Sequence, residues 1–376
     1  MRRVTRAAAP ALTLMAAVAA CGHPSEEPWD VTTDVGALAP APLDLREEHS
    51  LVWSGSEVLV WGGHGAGGQH DSFDDGAAYD PASDSWRELA ASGLESRTRH
   101  SALMVGDRML VWGGFTPTHS GGADAHVAAD GAFYDPDDDT WEPIARAPEG
   151  RTLARGVVAD GHVVFGGGSG EQGQEEFLVY TPGQDDWHTV PIGDGTGNFT
   201  VLDLAARGGT VVAAGVSSGE LGAVVFRVGD TATGIRDLSH VAEYDGGNVS
   251  AGLAASTAGD LFLAARSGET ASLFELDGEG RAELVEEREY TDFRPPVSAA
   301  THPLLAGGMD AVDGLALVAT APGEFSLWDP ESGRTYRQQT EGLGDYCGPL
   351  VPVADDALLG WGGLCASTGV RVDLDT

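Results

Sequence analysis

Apolar residues in this chain come in short runs of strand length. They are separated by glycines, Asp-Pro pairs and acidic clusters, and no stretch carries a sustained helical period. Val60-Trp61-Gly62-Gly63, Val111-Trp112-Gly113-Gly114 and Val164-Phe165-Gly166-Gly167 each end an apolar run on small residues. Later runs keep the texture: Phe199–Leu202, Thr210–Ala214 and Ala223–Phe226, then Asp260–Leu263 and Ala271–Leu276, then Gly314–Val318, Leu358–Gly363 and Val370–Leu374. First strands are predicted to begin near His49, His100, Ala154, Phe199, Ser250, Pro303 and Leu350, a step of about 50 residues. A period of that length predicts an all-β repeat domain in which each unit is one small sheet.

The units share more than hydropathy. Ala78-Tyr79-Asp80-Pro81 through Trp86, Phe133-Tyr134-Asp135-Pro136 through Trp141, and Val179-Tyr180-Thr181-Pro182 through Trp187 are copies of one segment. The weaker Leu327-Trp328-Asp329-Pro330 runs on to Tyr336. Ahead of the double glycines stand Glu48-His49-Ser50, Arg97-Thr98-Arg99-His100-Ser101 and Arg151-Thr152, with Ala154 in the place of the histidine. This pattern resembles the kelch repeat over residues 49 to 191 and continues beyond as hydropathy alone. The resemblance implies a seven-bladed β-propeller of four-stranded antiparallel blades over residues 29–376. Blade seven is one strand short at the C-terminus. Residues 29 to 33, with Trp29, are therefore expected to supply its fourth strand and close the ring, leaving few exposed sheet edges.

Asp135, Asp137, Asp138 and Asp139 crowd one of these copies. A calcium loop would need Gly at position 6 and Glu at position 12, where the chain has Thr140 and Arg146. The other copies carry different residues in the same place, so the expected role is a hairpin turn.

The ends set a compartment. Residues 1–20 combine Arg2, Arg3 and Arg6 with an apolar run too short to span a bilayer. The run closes on Val18-Ala19-Ala20-Cys21, which resembles a bacterial lipobox. The expectation is a signal peptide over 1–20, lipidation of Cys21, a tether over 21–28, and an extracytoplasmic protein anchored to a bacterial membrane. An ordinary secretory signal is the other reading. Cys347 and Cys365 then form an even pair in an exported chain, predicting a disulfide; two buried free thiols are the alternative.

Charge excludes one class of partner. The chain has 21 basic residues, all Arg, against 58 acidic ones, for a net charge of −37. Such a surface repels nucleic acid. A compositional bias explains the acidity as well as any use of it.

Candidate chemistry lies where one unit departs from the next. The loops after the double glycines of units one and two carry His64, His70 and Asp71, and His119, Asp124 and His126. Imidazole with carboxylate suits a divalent transition metal, and a solvated polar loop is the plainer reading. No other cofactor is implied. Arg97, Arg99, Arg151 and Arg155 fall at the starts of first strands, where they would clamp a carboxylate ligand or pair with acids between blades. No nucleophile elbow, phosphate loop or spare thiol occurs. The kelch resemblance extends to galactose oxidase, whose copper site needs a cysteine-linked tyrosine, and to a sialic-acid mutarotase. Three readings follow: a monomeric binding or scaffold propeller for a protein or glycan, a mutarotase- or epimerase-type sugar enzyme needing only a positioned acid or base, and metal binding through the histidine loops.

Overall fold

The computed structural model of the chain describes residues 32–65, 72–117, 125–170, 176–192, 199–217, 220–228, 235–236, 249–255, 261–267, 270–277, 282–289, 311–312, 315–321, 324–329, 334–339, 349–353, 357–363 and 369–375. Among the described residues every regular element is a strand. They form seven four-stranded antiparallel sheets, with three two-stranded sheets beside them.

The first sheet runs Ser50–Trp53, Val58–Trp61, Gly76–Asp80, Ser85–Glu88. The second runs Ser101–Val105, Arg108–Trp112, Gly131–Asp135, Thr140–Pro143. The third runs Arg155–Ala159, His162–Gly166, Glu176–Thr181, Asp186–Pro191. The fourth begins at Thr200–Arg207, the fifth at Val249–Ala255 and the sixth at Ala311–Val312. The seventh holds Leu350–Val353, Ala357–Gly360 and Val370–Asp375, and its last place is filled by Thr32–Ala37 from the other end of the chain. Thr32 faces Asp375 and Ala37 faces Val370. The strand that fills this place thus sits a few residues later than the 29–33 expected, and Trp29 lies outside the described residues.

First strands of sheets seven, one, two, three, four and five lie side by side in that order. The core is therefore a series of layers between sheets. Leu59, Trp61 and Ala78 of the first sheet meet Met109, Val111 and Tyr134 of the second. Val164, Phe177 and Val179 of the third meet Leu204, Val211 and Phe226 of the fourth. A second strand with neighbours on both faces has no wet side, which is why Val58–Trp61 reads as a continuous apolar run, all four residues buried. This is the arrangement of a β-propeller.

The aspartate segment is a turn with an assigned task for its last residue. Asp135 Oδ1 accepts the amides of Asp137 and Asp138, 3.1 and 3.3 Å away. Asp139, at φ 50°, accepts the Tyr134 hydroxyl at 2.8 Å and the Ala90 amide at 2.9 Å. Ala90 O in turn accepts the Trp141 indole at 2.9 Å. Asp84 with Tyr79, Ala39 and Trp86, and Asp185 with Tyr180, Ala145 and Trp187, repeat the same three bonds. The tyrosine, aspartate and tryptophan columns of the repeat thus tie the outer turn of each of the first three sheets to the linker that enters it.

Candidate interaction rim

The opposite ends of the sheets, where the double glycines lie, carry the residues that differ from unit to unit. Three arginines fix this end. Arg46, Arg97 and Arg151 are fully buried. Arg46 donates to Gly62 O at 3.2 Å and Asp75 Oδ1 at 2.7 Å; Arg97 donates to Gly113 O at 3.1 Å and Asp130 Oδ1 at 2.9 Å. Arg151 bonds Glu149 and Glu176 O. Of the candidate ligand clamps, Arg97 braces the double-glycine bend from inside, and Arg151 is held by Glu149 and the Glu176 carbonyl. Arg46 escaped the sequence reading, although it stands before His49 as Arg97 stands before His100.

The glycines accept this crowding because they have no side chain. A Cβ on Gly63, at φ 93°, would sit 2.7 Å from Glu47 O. The bend also stitches neighbouring sheets: Gly363 N donates to Arg46 O, Gly63 N to Arg97 O and Gly114 N to Arg151 O, at 2.8–2.9 Å. His49 packs edge-on against Trp361 and His100 against Trp61, each of the preceding sheet. Burial and the nearby Arg46 push His49 down to about 4; burial, with Arg97, pushes His100 down to about 3.

Directly before these histidines, or before Ala154 in the third unit, comes the variable position: Glu48, Arg99 and Leu153. All three adopt φ 57°, a left-handed backbone unusual for side chains of this size. They form a chain across sheets, Arg99 N donating to Glu48 O at 3.1 Å and Leu153 N to Arg99 O at 2.8 Å. Beside them, Glu47, Thr98 and Thr152 pair with His64, Phe115 and Ser169. The same frame therefore presents an acidic and imidazole corner in unit one, a cation and an aromatic in unit two, and an aliphatic in unit three. Leu153 is 44% exposed, and Phe115 and Leu45 are exposed on the same rim.

Electrostatics ties the first two units together. Arg99 grips Glu48 with two bonds, 2.8 and 2.7 Å, and His64 Nε2 lies 3.3 Å from the same carboxylate. Burial works to raise Glu48, but the bonds from His64 and Arg99 outweigh it and hold the carboxyl at about 2. His64 is raised, chiefly by Glu48. Arg155, opposite Gly166 at the same end of the third sheet, bonds Leu202 O at 3.3 Å and faces Asp203. Asp203 accepts the Leu253 amide at 2.8 Å and is raised to about 6 by burial.

Of the metal candidates, His64 and His126 are described. His126 bonds Thr116 Oγ1 at 2.9 Å, and its Nε2 lies 3.6 Å from Glu95. Each imidazole thus has its own local partners, and no group of three or more His, Cys, Asp or Glu able to hold a metal occurs among the described residues. His70, Asp71, His119 and Asp124 lie outside the described residues, as do Cys21, Cys347 and Cys365.

Residues 29–201 match the KLHDC2/KLHL20/DRC7 Kelch-repeats domain. The kelch columns of tyrosine, tryptophan and double glycine fall within that span. Kelch-like protein 23 of Homo sapiens and that of Pongo abelii are each 29% identical over 175 residues, 45% of this chain and 30% of the relative. The chain thus spans under a third of the length of the curated relatives it matches. A fungal alcohol oxidase of the AA5 family, solved in complex with copper, superposes with a TM-score of 0.61 at 15% identity, over 92% of this chain and 76% of its own. That likeness shows the fold.

Proposed function

We propose that the protein is a binding propeller whose kelch rim, around Glu48, Arg99 and Leu153, recognises a protein partner. The observation that carries this is the repeated left-handed position. A bulky residue there costs about 1 kcal/mol or more, yet the same backbone is kept in three units while its side chain changes from acid to base to aliphatic. Conserved packing residues elsewhere in the repeat do not vary in this way. A kelch propeller domain suggests an interaction scaffold, and a rigid frame displaying unlike side chains suits recognition better than a repeated chemical site.

The seven sheets and the pairing of Thr32–Ala37 with Val370–Asp375 support a closed ring of seven blades. The leader and Cys21 support an extracytoplasmic protein held by lipid, and the even Cys347 and Cys365 support a disulfide in the last blade.

Quantitative affinity capture from the protein's native cell surface tests the rim. Arg99→Glu with Leu153→Ser, on the rim, is compared with Asp137→Arg and Asp138→Arg in an outer turn. The expected result is a partner retained by the turn variant and lost by the rim variant at unchanged melting temperature. A partner lost only from the turn variant refutes the assignment.

A further inference from the structure

The closing strand has a direction, and the direction decides which face of the propeller is offered to a partner. In the first sheet the hairpin 54–57 and the turn 81–84 lie at one end, since Trp53 pairs with Val58 and Asp80 with Ser85. The double glycine and the rim lie at the other. In the seventh sheet Ala37 faces Val370, beside Gly360 and the Trp361-Gly362-Gly363 bend, and Leu38 N donates to Gly369 O at 3.1 Å. Thr32 faces Asp375, past the point where Ala357 pairs with both Val353 and Asp373. The first described residue of that outermost strand, Thr32, therefore stands at the turn-face end of its sheet.

We infer that a lipid at Cys21 holds the protein with its turn face toward the bilayer. The rim of Glu48, Arg99 and Leu153 then points away, toward a partner that is not embedded in the same membrane. This rests on the anchored, rim-binding reading above. Ten residues, Gly22 to Val31, separate the cysteine from the strand. Fully extended they reach at most about 35 Å. Turning the rim to the bilayer would require them to run the height of a sheet, about 26 Å for an eight-residue strand. That uses up roughly three quarters of the tether's reach, whereas the turn-face orientation leaves nearly all of it.

The turn face adds a second constraint. Asp84, Asp107, Asp137, Asp138, Asp160 and Asp185 are exposed there. An anionic headgroup layer repels these carboxylates over about a Debye length, some 10 Å at 0.1 M salt. The propeller is held off an anionic surface instead of lying on it, which keeps the rim clear of lipid.

The test replaces residues 1–21 of the full chain by a hexahistidine segment bound to nickel-chelating lipid in phosphatidylcholine vesicles. Its outcome then does not depend on whether Cys21 is acylated, which the mass of the exported protein decides separately, nor on whether the rim binds a partner. A fluorescent amino acid is placed at Ser56, in the hairpin of the first sheet, or at Leu45, on the rim of the same sheet. Energy transfer to a rhodamine lipid is measured for each. The expected result is severalfold stronger transfer from position 56. Equal transfer from both positions, or stronger transfer from position 45, overturns the orientation. With phosphatidylserine added at low salt, transfer from position 56 falls and is restored by salt; no salt response removes the stand-off.

Discussion

His100 should make the fold acid-labile in a way its third-unit counterpart, Ala154, does not. Its ring is held against Trp61 and beside Gly62, and its nitrogens are buried. Burial and Arg97 lower its pKa from 6.5 to about 3. The unfolded chain therefore binds the proton first, and stability is present above the unfolded pKa and lost as pH falls below it. Between about pH 8 and about pH 5 the linkage amounts to roughly 2 kcal/mol, a factor of about 30 in the folding equilibrium. Other groups act in the same window. His49, lowered to about 4, works in the same direction. Asp203, raised to about 6, and His64, also raised, work against it, because the native state then holds the extra proton. The informative quantity is thus a difference. His100→Ala is compared with the wild type by urea unfolding, followed by tryptophan fluorescence at both pH values. The variant is less stable at high pH through lost packing, and the gap should shrink by about 2 kcal/mol at about pH 5. Parallel pH profiles would refute a buried neutral imidazole at this position.

Other outcomes follow from single contacts. Asp139→Ala removes the acceptor of both Tyr134 and Ala90 and should cost about 2 kcal/mol in urea unfolding, while Asp137→Ala stays within about 0.5 kcal/mol. Arg97→Met takes the donors from Gly113 O and Asp130 and should cost about 2 kcal/mol or more, whereas the exposed Arg99–Glu48 pair is worth under about 1 kcal/mol, so Arg99→Ala should barely move the melting temperature. Deleting residues 22–37 should lower the melting temperature of the whole domain as one transition, and an unchanged transition would mean the N-terminal strand contributes nothing to closure. Plasma mass spectrometry of the purified domain, beside a variant with His64, His70, His119 and His126 changed to Ala, should find no stoichiometric metal lost on substitution.

Much of the fold was legible because packing between sheets repeats its demands. Tyr79, Tyr134 and Tyr180 each need an acceptor for the hydroxyl, and each obtains the aspartate five residues on. A local bond of this kind leaves a fixed spacing in the sequence. The N-terminal strand of the seventh sheet left a weaker trace. In Thr32–Ala37 the one sizeable apolar side chain is Val35, and register is set by Val370–Asp375, far away in the sequence. The arginines were harder still. Arg97, Arg99, Arg151 and Arg155 look alike in the sequence, and what separates them is tertiary: Asp130 and Gly113 for Arg97, Glu48 of the neighbouring unit for Arg99, Asp203 for Arg155. Only Arg151, with Glu149 two residues before it, carried its partner nearby. The rim itself was invisible, because nothing in Glu48, Arg99 or Leu153 announces a left-handed backbone.

Pairing the chain's two ends in one sheet also imposes an order in time. A chain delivered N-terminus first produces Thr32–Ala37 before every other described strand, and its hydrogen-bonding partner, Val370–Asp375, after all of them. Until then the early strand is an orphan edge, and the contact that joins the termini has nearly the greatest sequence separation the chain allows, which makes it slow to form. Each nascent molecule thus passes through an interval with its other sheets at hand and an unfilled place in the last. During that interval the early strand of a neighbouring molecule fits the place as well as its own does. Crowded synthesis should accordingly yield exchanged dimers, and dilution or slower production should suppress them.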